Sequence, residues 1–166
     1  MENLLNKETV KRVEDFIKKF DSKLQVLVLD TTARTAKDAA NSLKCDVGAI
    51  VKSLLFKTKE HFLICLIAGD RRCSLNKLKK ILEKKDVSMA NAEEVKQKTG
   101  FSIGGVAPVA HNTKLDILID KSLERFQNIY AAAGHPNCVF KINYNQLIKI
   151  TKGLEKEISE WEKVNL

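Results

Sequence analysis

Hydrophobic side chains in residues 8–20 recur at every third or fourth position. Val10, Val13, Ile17 and Phe20 therefore share one side of a helix, and lysines and carboxylates occupy the other side. This spacing predicts an amphipathic first helix. Similar patterns predict four further helices, at residues 35–43, 74–85, 91–98 and 143–165.

Capping residues indicate where three of these helices begin. Thr35 and Ser74 each stand where a side-chain oxygen can accept a hydrogen bond from a free backbone N–H group at the start of a helix. Asn91 followed by Glu94 fits a capping box, and Gly100 is placed to end that helix. These signals define where the three helices begin.

Apolar runs between the helices predict strands at residues 24–29, 49–56, 62–68, 115–120, 128–133 and 138–142. The polar segment 57–61 joins two of them, which favours an adjacent antiparallel pair at the centre of a sheet. Because strands and helices interleave irregularly, we expect an α/β fold with a mixed sheet flanked by helices. The 166 residues fit a single domain, 1–166, with a core at about 20–152 and helices at both ends.

One lysine interrupts the apolar strand 49–56. Alternation places Ile50, Lys52 and Leu54 on one face of the strand and Ser53 on the other. An unpaired ammonium on an apolar face is costly, so Lys52 must meet a carboxylate, extend to solvent or face a cavity that binds an anion. The pattern alone leaves a structural lysine and a site lysine both open.

Two glycine-containing segments are further candidates. Gly104 and Gly105, followed by Val106, Ala107 and Pro108, form a loop whose backbone can approach a ligand closely. The segment 134–136, Gly-His-Pro, follows an apolar strand. Each segment also fits an ordinary turn, and neither is specific when taken alone.

Composition narrows the function classes. Lys and Arg number 29 against 21 Asp and Glu, and the net charge of +8 favours an anionic partner such as nucleic acid. The lysines of residues 74–85 and of the segment 149–157 are candidate RNA contacts on charge alone. No membrane-length apolar run or secretory signal is found, so we expect a soluble cytoplasmic protein.

Familiar catalytic and metal-binding patterns are missing from the sequence. It contains no Gly-x-Ser-x-Gly elbow, phosphate loop, His-Glu-x-x-His helix or dinucleotide fingerprint. The four cysteines form no Cys-x-x-Cys pair, and Cys65 and Cys138 lie in strand-like segments, where we expect inert packing. The three histidines are too scattered to indicate a zinc site, and we expect no metal.

Several segments taken together resemble the YbaK/ProX family of aminoacyl-tRNA editing domains. They are 35-TAKDAANSLKCDVGAIVKSLLF-56, 66-LIAGDRR-72, 99-TGFSIGGVAPVAH-111, 117-ILID-120 and 129-IYAAAGHP-136. The resemblance implies a mixed α/β fold with a strongly curved sheet and no cofactor. It also implies an enzyme that hydrolyses mischarged aminoacyl-tRNA, mostly tRNA for proline, and a relation to prolyl-tRNA synthetase.

The resemblance assigns roles to individual positions. Lys52 matches the essential lysine that helps to hold the charged 3′ end, and Ser53 matches a neighbouring Ser/Thr position. The segment from Gly104 through Gly105, Val106 and Ala107 to Pro108 matches the loop that positions the terminal ribose and the attacking water. Asp120 matches an acidic position near the pocket, and Gly134 and His135 match the turn that borders the amino-acid pocket.

Two residues depart from the family pattern. Ala107 stands where many relatives have serine, and Ala110 stands where glycine is frequent. These changes concern the pocket wall and therefore the substrate, for which we expect a small amino acid such as alanine, serine or cysteine. Two alternatives remain: a non-catalytic tRNA- or synthetase-binding module of the same fold, and a protein that binds another anion such as a nucleotide.

Overall fold

The computed structural model describes residues 3–30 and 35–163. Its helices are α1 (Glu8–Phe20), α2 (Ala36–Leu43), α3 (Leu75–Leu82), α4 (Ala92–Thr99) and α5 (Tyr144–Thr151). Its strands are β1 (Val26–Val28), β2 (Ile50–Lys57), β3 (Phe62–Ala68), β4 (Arg71–Cys73), β5 (Ser88–Met89), β6 (Asp116–Asp120), β7 (Ile129–His135), β8 (Cys138–Ile142), β9 (Leu154–Lys156) and β10 (Ser159–Trp161). None of the helices in the described ranges combines the length and apolar character that crossing a membrane requires.

The predicted caps form. Thr35 accepts a hydrogen bond from the N–H of Asp38, and Asn91 and Glu94 make both hydrogen bonds of the capping box. Gly100 ends α4 with a φ of +84°. Helix α3 ends three residues earlier than predicted, at Leu82, because Glu83 adopts the left-handed conformation that closes the helix.

The main sheet has eight strands and is mixed, which confirms the predicted α/β class. Seven strands lie in the order β1-β8-β7-β2-β3-β6-β9, and β5 pairs with β2 beyond this path. Strands β2 and β3 are antiparallel, as predicted, whereas β2 pairs with β7 and β3 with β6 in parallel. Strands β4 and β10 form a separate antiparallel pair.

Helices cover both faces of the sheet. On one face, Val10, Val13 and Ile17 of α1 pack in a core that also contains Leu66 of β3. On the other face, Leu78 of α3 packs in a core with Ile67 of β3, and α2 has a smaller cluster of its own. In the register of β2 and β3, Lys52 is opposite Ile67 and Ser53 is opposite Leu66. The two side chains therefore belong to opposite faces, as the alternation predicted.

The C-terminal prediction was wrong. Residues 143–165 were expected to form one helix, of which 164 and 165 lie outside the described residues, but α5 ends at Thr151 and is followed by the short strands β9 and β10. Lys152 is left-handed and ends the helix. The buried carboxylate of Asp120 then fixes the chain, because it accepts hydrogen bonds from the N–H of Ile158 (2.8 Å) and the hydroxyl of Ser159 (2.7 Å). Contacts between residues that are far apart in sequence thus determine the conformation of this segment.

Candidate functional site

A cavity of about 400 Å³ lies where strands β2 and β7 separate. The two strands pair only at Ile50 with Tyr130 and Val51 with Ala131, and β5 joins β2 from Phe56 onward. Within the described ranges, residues 52–55 of β2 thus have no strand neighbour on this side. The Leu55 carbonyl accepts a hydrogen bond from the N–H of Ala90 (3.0 Å), and the backbone from Lys52 to Leu54 lies open to a ligand on this side.

The cavity brings together some of the sequence-predicted site residues. Lys52, Ser53, Gly104 and Val106 line it, whereas Gly105, Ala107, Pro108, Asp120, Gly134 and His135 do not. The rest of the wall is mostly aliphatic, with a tyrosine, a threonine and a proline, and consists of Thr35, Ala36, Ala39, Ile50, Val51, Leu54, Leu55, Met89, Ala90, Val95, Ile103, Tyr130, Ala132, Pro136 and Val139.

The ammonium group of Lys52 reaches the C-terminal part of the chain. Its Nζ donates a hydrogen bond to the backbone carbonyl of Arg71 and lies 3.8 Å from Oε2 of Glu162. Burial lowers the pKa of Lys52 below its ordinary value, and the charges of Glu162 and Asp70 act in the opposite direction. The Glu162 side chain is 53% exposed, so the ion pair is weak and open to exchange. Lys52 is therefore both an ion-paired lysine and a cavity lysine.

Ser53 contributes an unsatisfied hydroxyl. Its Oγ is buried and has no hydrogen-bond partner among the described residues. Leaving a buried donor or acceptor unpaired costs about 1–3 kcal/mol. Because Ser53 also lines the cavity, its hydroxyl is a candidate hydrogen-bonding group for a ligand.

The loop 104–108 and the turn 134–136 support each other through their backbones. The N–H of Gly134 donates a hydrogen bond to the carbonyl of Gly105 (3.0 Å). A Cβ on Gly105 would lie 2.8 Å from the backbone nitrogen of His135, and one on Gly134 would lie 2.5 Å from the carbonyl oxygen of Thr9. Only glycine permits these approaches. The two segments that the sequence singled out thus form one unit.

One side of this unit lines the cavity, and its other side packs in the core. Gly104 has a φ of +95°, and Pro136, which lines the cavity, packs beside it. Ala107 is fully buried in the core rather than in the cavity wall, and Pro108 is also buried. A hydroxyl at position 107 would therefore project from the core side of the loop. His135 is half-buried, and its Nδ1 accepts a hydrogen bond from the N–H of Asn137 (3.0 Å).

Asp120 lies outside the cavity wall. Its carboxylate is 2% exposed and accepts hydrogen bonds from Ser122, Ile158 and Ser159. These contacts give Asp120 a role in anchoring the C-terminal segment.

Sequence analysis did not identify the groups that hold Lys52 or those that complete the cavity wall. Arg71 and Glu162 lie on segments for which no strand was predicted, and they contact Lys52 only after the chain folds. Pro136 stood within a candidate turn, and its ring closes the wall beside Gly104. The quoted blocks 35–56, 99–111 and 129–136 contain most of the wall, whereas Met89, Ala90, Val95 and Val139 lie outside them.

The thiols expected to be inert are held in protonated form. A hydrogen bond with Cys73 and burial raise the pKa of Cys65, and burial raises the pKa of Cys138 to about 11. In residues 3–30 and 35–163, no group of three or more His, Cys, Asp and Glu side chains is arranged to hold a metal ion.

The comparisons with known proteins agree on one family. Residues 30–150 match the aminoacyl-tRNA editing domain. The proline–tRNA ligase of Kosmotoga olearia is 37% identical over 108 residues, which are 65% of this chain and 19% of the ligase. The uncharacterized protein YwhH of Bacillus subtilis is 26% identical over 140 residues, which are 84% of this chain and 88% of that protein.

A solved structure described as a candidate trans-editing enzyme for prolyl tRNA synthetase has a TM-score of 0.88 and 33% identity. The alignment covers 93% of this chain and 98% of that one. The chain spans about a fifth of the length of the ligases that it matches. By the matched residues and the shared fold, the chain belongs to the aminoacyl-tRNA editing domain family.

Proposed function

We propose that the protein is a trans-acting deacylase, which hydrolyses the ester between tRNA for proline and a small, wrongly attached amino acid. The observation that carries the proposal is the meeting of Lys52 and Gly104 at one cavity, in a chain of the editing-domain family. Relatives named as proline–tRNA ligases and the neighbour described as acting on behalf of that synthetase support the choice of tRNA.

The reaction needs little beyond positioning and charge. A water oxygen attacks the ester carbonyl, the bond between the carbonyl carbon and the ribose oxygen breaks, and the ribose oxygen takes up a proton. The products are tRNA and the free amino acid. Because an aminoacyl ester is already activated, orientation and stabilisation of the developing oxyanion supply most of the acceleration.

Each lining group has a role in this proposal. Lys52 supplies the positive charge, and binding of the ester replaces its weak pairing with Glu162. The loop at Gly104 holds the terminal ribose and the attacking water. The Ser53 hydroxyl, which lacks a partner among the described residues, bonds to the bound aminoacyl group.

The wall also restricts the amino acid. Aliphatic residues such as Ala36, Ala39 and Val95 surround the cavity, so an uncharged side chain is favoured. One methylene group too many in such a pocket costs about 1–3 kcal/mol. We therefore propose alanine, serine or cysteine as the amino acid removed. The substrate also implies a cytoplasmic protein that works beside prolyl-tRNA synthetase.

Deacylation of a panel of charged tRNAs tests the proposal. The purified protein is mixed with tRNA for proline that carries alanine, serine, cysteine, threonine or proline, and the remaining ester is followed against a protein-free control. Hydrolysis of a small mischarged species, with the proline ester spared, is the expected result. Binding of every tRNA without any hydrolysis would instead favour the non-catalytic module.

A further inference from the structure

An exposed aromatic and cationic surface lies beside Lys52, outside the cavity wall. Trp161, the single tryptophan of the chain, is 61% exposed. The guanidinium carbon of Arg71 lies 4.4 Å from the centre of its ring system, and that of Arg125 lies 5.2 Å away. We name Trp161, Arg71 and Arg125 the Trp161 platform.

The backbone and the two arginines hold this platform in place. Trp161 pairs with Arg71 in the two-stranded sheet of β4 and β10. The Arg71 guanidinium donates to the backbone carbonyl of Ser159 (3.2 Å), and the Arg125 guanidinium donates to both carboxylate oxygens of Asp70 (3.0 and 2.7 Å). A ligand would therefore meet side chains that are already ordered, which reduces the entropic cost of binding.

The platform is directly connected to the proposed site of the ester. The backbone carbonyl of Arg71 accepts the hydrogen bond of Lys52, and Glu162, which pairs with Lys52, follows Trp161 in the chain. A nucleic acid whose terminal ester lies at Lys52 continues outward from that point. These contacts make Trp161 a candidate contact for the bases and phosphates next to the ester.

We propose that the Trp161 platform binds a nucleobase and the adjoining phosphate in the single-stranded 3′ end of RNA. The choice of RNA rests on the proposed function of the cavity. Unpaired bases stack on aromatic rings and on guanidinium planes, and nearby cations attract the phosphates. The two guanidinium groups lie over the ring in cation–π contacts, and 61% of Trp161 stays exposed, an area that is small for a stable protein interface but sufficient for one base.

The single tryptophan permits a direct binding test on the unmodified protein. Its fluorescence is followed while the trinucleotide CCA, the 3′ terminus of tRNA, is added to the wild-type protein. Stacking predicts saturable quenching. A matched trinucleotide of abasic ribose phosphates should quench much less, because it carries the phosphates without the bases.

Substitutions at the platform give the second test, with a labelled RNA hairpin that ends in CCA. Trp161→Ala should weaken binding about tenfold or more, since one stacked base contributes about that factor, and Trp161→Phe should retain most of the affinity. Leu154→Ala is the matched control, because Leu154 is also 61% exposed but lies on β9. It should bind as the wild type does.

The outcomes separate this inference from the proposed function. No quenching by CCA, together with unchanged affinity of Trp161→Ala, would overturn the inference even if Lys52-dependent deacylation is found. Trp161 would then only close the sheet of β4 and β10. Quenching and weakened binding without hydrolysis of any charged tRNA would uphold the platform and overturn the deacylase proposal.

Discussion

The cavity and the neighbouring two-stranded sheet of β4 and β10, here named the β4–β10 edge, differ in how their buried hydroxyl groups are paired. At the edge, the hydroxyl of Ser159 is 2.7 Å from the Asp120 carboxylate and also accepts a hydrogen bond from Arg71. In the cavity, the buried hydroxyl of Ser53 has no partner among the described residues. The first arrangement stabilises the folded chain by itself, whereas the second leaves a hydroxyl unsatisfied beside the cavity.

Lys52 connects the two regions. It lines the cavity, but the edge supplies its partners, the carbonyl of Arg71 and the carboxylate of Glu162. The paired hydroxyl of Ser159 therefore serves stability, and the hydroxyl of Ser53, unpaired within the described residues, is available for binding. Substitution of the two buried hydroxyls should thus affect different properties, binding at Ser53 and stability at Ser159.

The largest expected effect on stability is at Gly134, whose backbone packs closely against Thr9 of α1. Gly134→Ala should lower the free energy of unfolding by about 2 to 5 kcal/mol, because the new Cβ meets the Thr9 carbonyl and the residue has a left-handed φ of +90°. Chemical denaturation measures this change.

Gly104→Ala is the matched control for that substitution. Gly104 has a similar φ of +95°, but its added Cβ would meet only the Pro136 side chain at 3.4 Å. We expect a loss of only about 1 to 2 kcal/mol, from the backbone conformation alone. Equal losses at both positions would show that the contact with α1 contributes nothing.

Substitutions of the two serines with buried hydroxyls, Ser53 and Ser159, should have different effects. Ser53→Ala should lower kcat/KM for deacylation about tenfold, yet leave stability unchanged or slightly increased, because an unpaired group is removed. Ser159→Ala should lower stability by about 1 to 3 kcal/mol, because the buried Asp120 carboxylate and the Arg71 guanidinium each lose a hydrogen bond. Kinetics and denaturation of both variants are compared. Loss of stability in Ser53→Ala would contradict the distinction.

The pH dependence of catalysis should reveal the ion pair of Lys52. If the charged form is active, the enzyme-dependent rate falls as the pH rises through the lowered pKa of Lys52. Glu162→Gln removes a charge that raises this pKa, so the alkaline fall should move to lower pH. Rates are corrected for spontaneous ester hydrolysis. Glu160→Gln, which removes the partner of Arg72, should leave the profile in place.

The smallest expected effect concerns Ala110. Its φ of +62° is in the left-handed region, so Ala110→Gly should raise the free energy of unfolding by about 0.5 to 1 kcal/mol without changing activity. Thermal unfolding should show an increase in Tm of about 2–4 °C for each kcal/mol. The same substitution at Ala40, within α2, should instead be destabilising.

Local sequence signals predicted the elements that local interactions stabilise. The caps at Thr35 and Asn91 form as predicted, and the alternation in β2 placed Lys52 and Ser53 on opposite faces. Strands of two or three residues, such as β5 and β9, are too short to show periodicity. The predicted C-terminal helix failed because the Asp120 carboxylate holds Ile158 and Ser159 in another conformation.

The candidate site was predictable only where its residues stand together in a pattern. Lys52 interrupts an apolar strand and Gly104 opens a glycine pair, and both features are visible in the sequence. Glu162 has no such signal, because only the pairing of β10 with β4 brings it near Lys52. The cavity itself follows from the separation of β2 and β7, which no local pattern encodes.

Deacylation by Lys52→Ala and Lys57→Ala, compared side by side, tests the central claim most directly. Both lysines lie on β2 and both pair with a glutamate, but Lys57 pairs with Glu94 and does not line the cavity. We expect Lys52→Ala to remain folded by circular dichroism and to lose about 100-fold or more of its activity on mischarged tRNA, whereas Lys57→Ala should stay near the wild-type rate. Equal rates for Lys52→Ala and the wild type would contradict it.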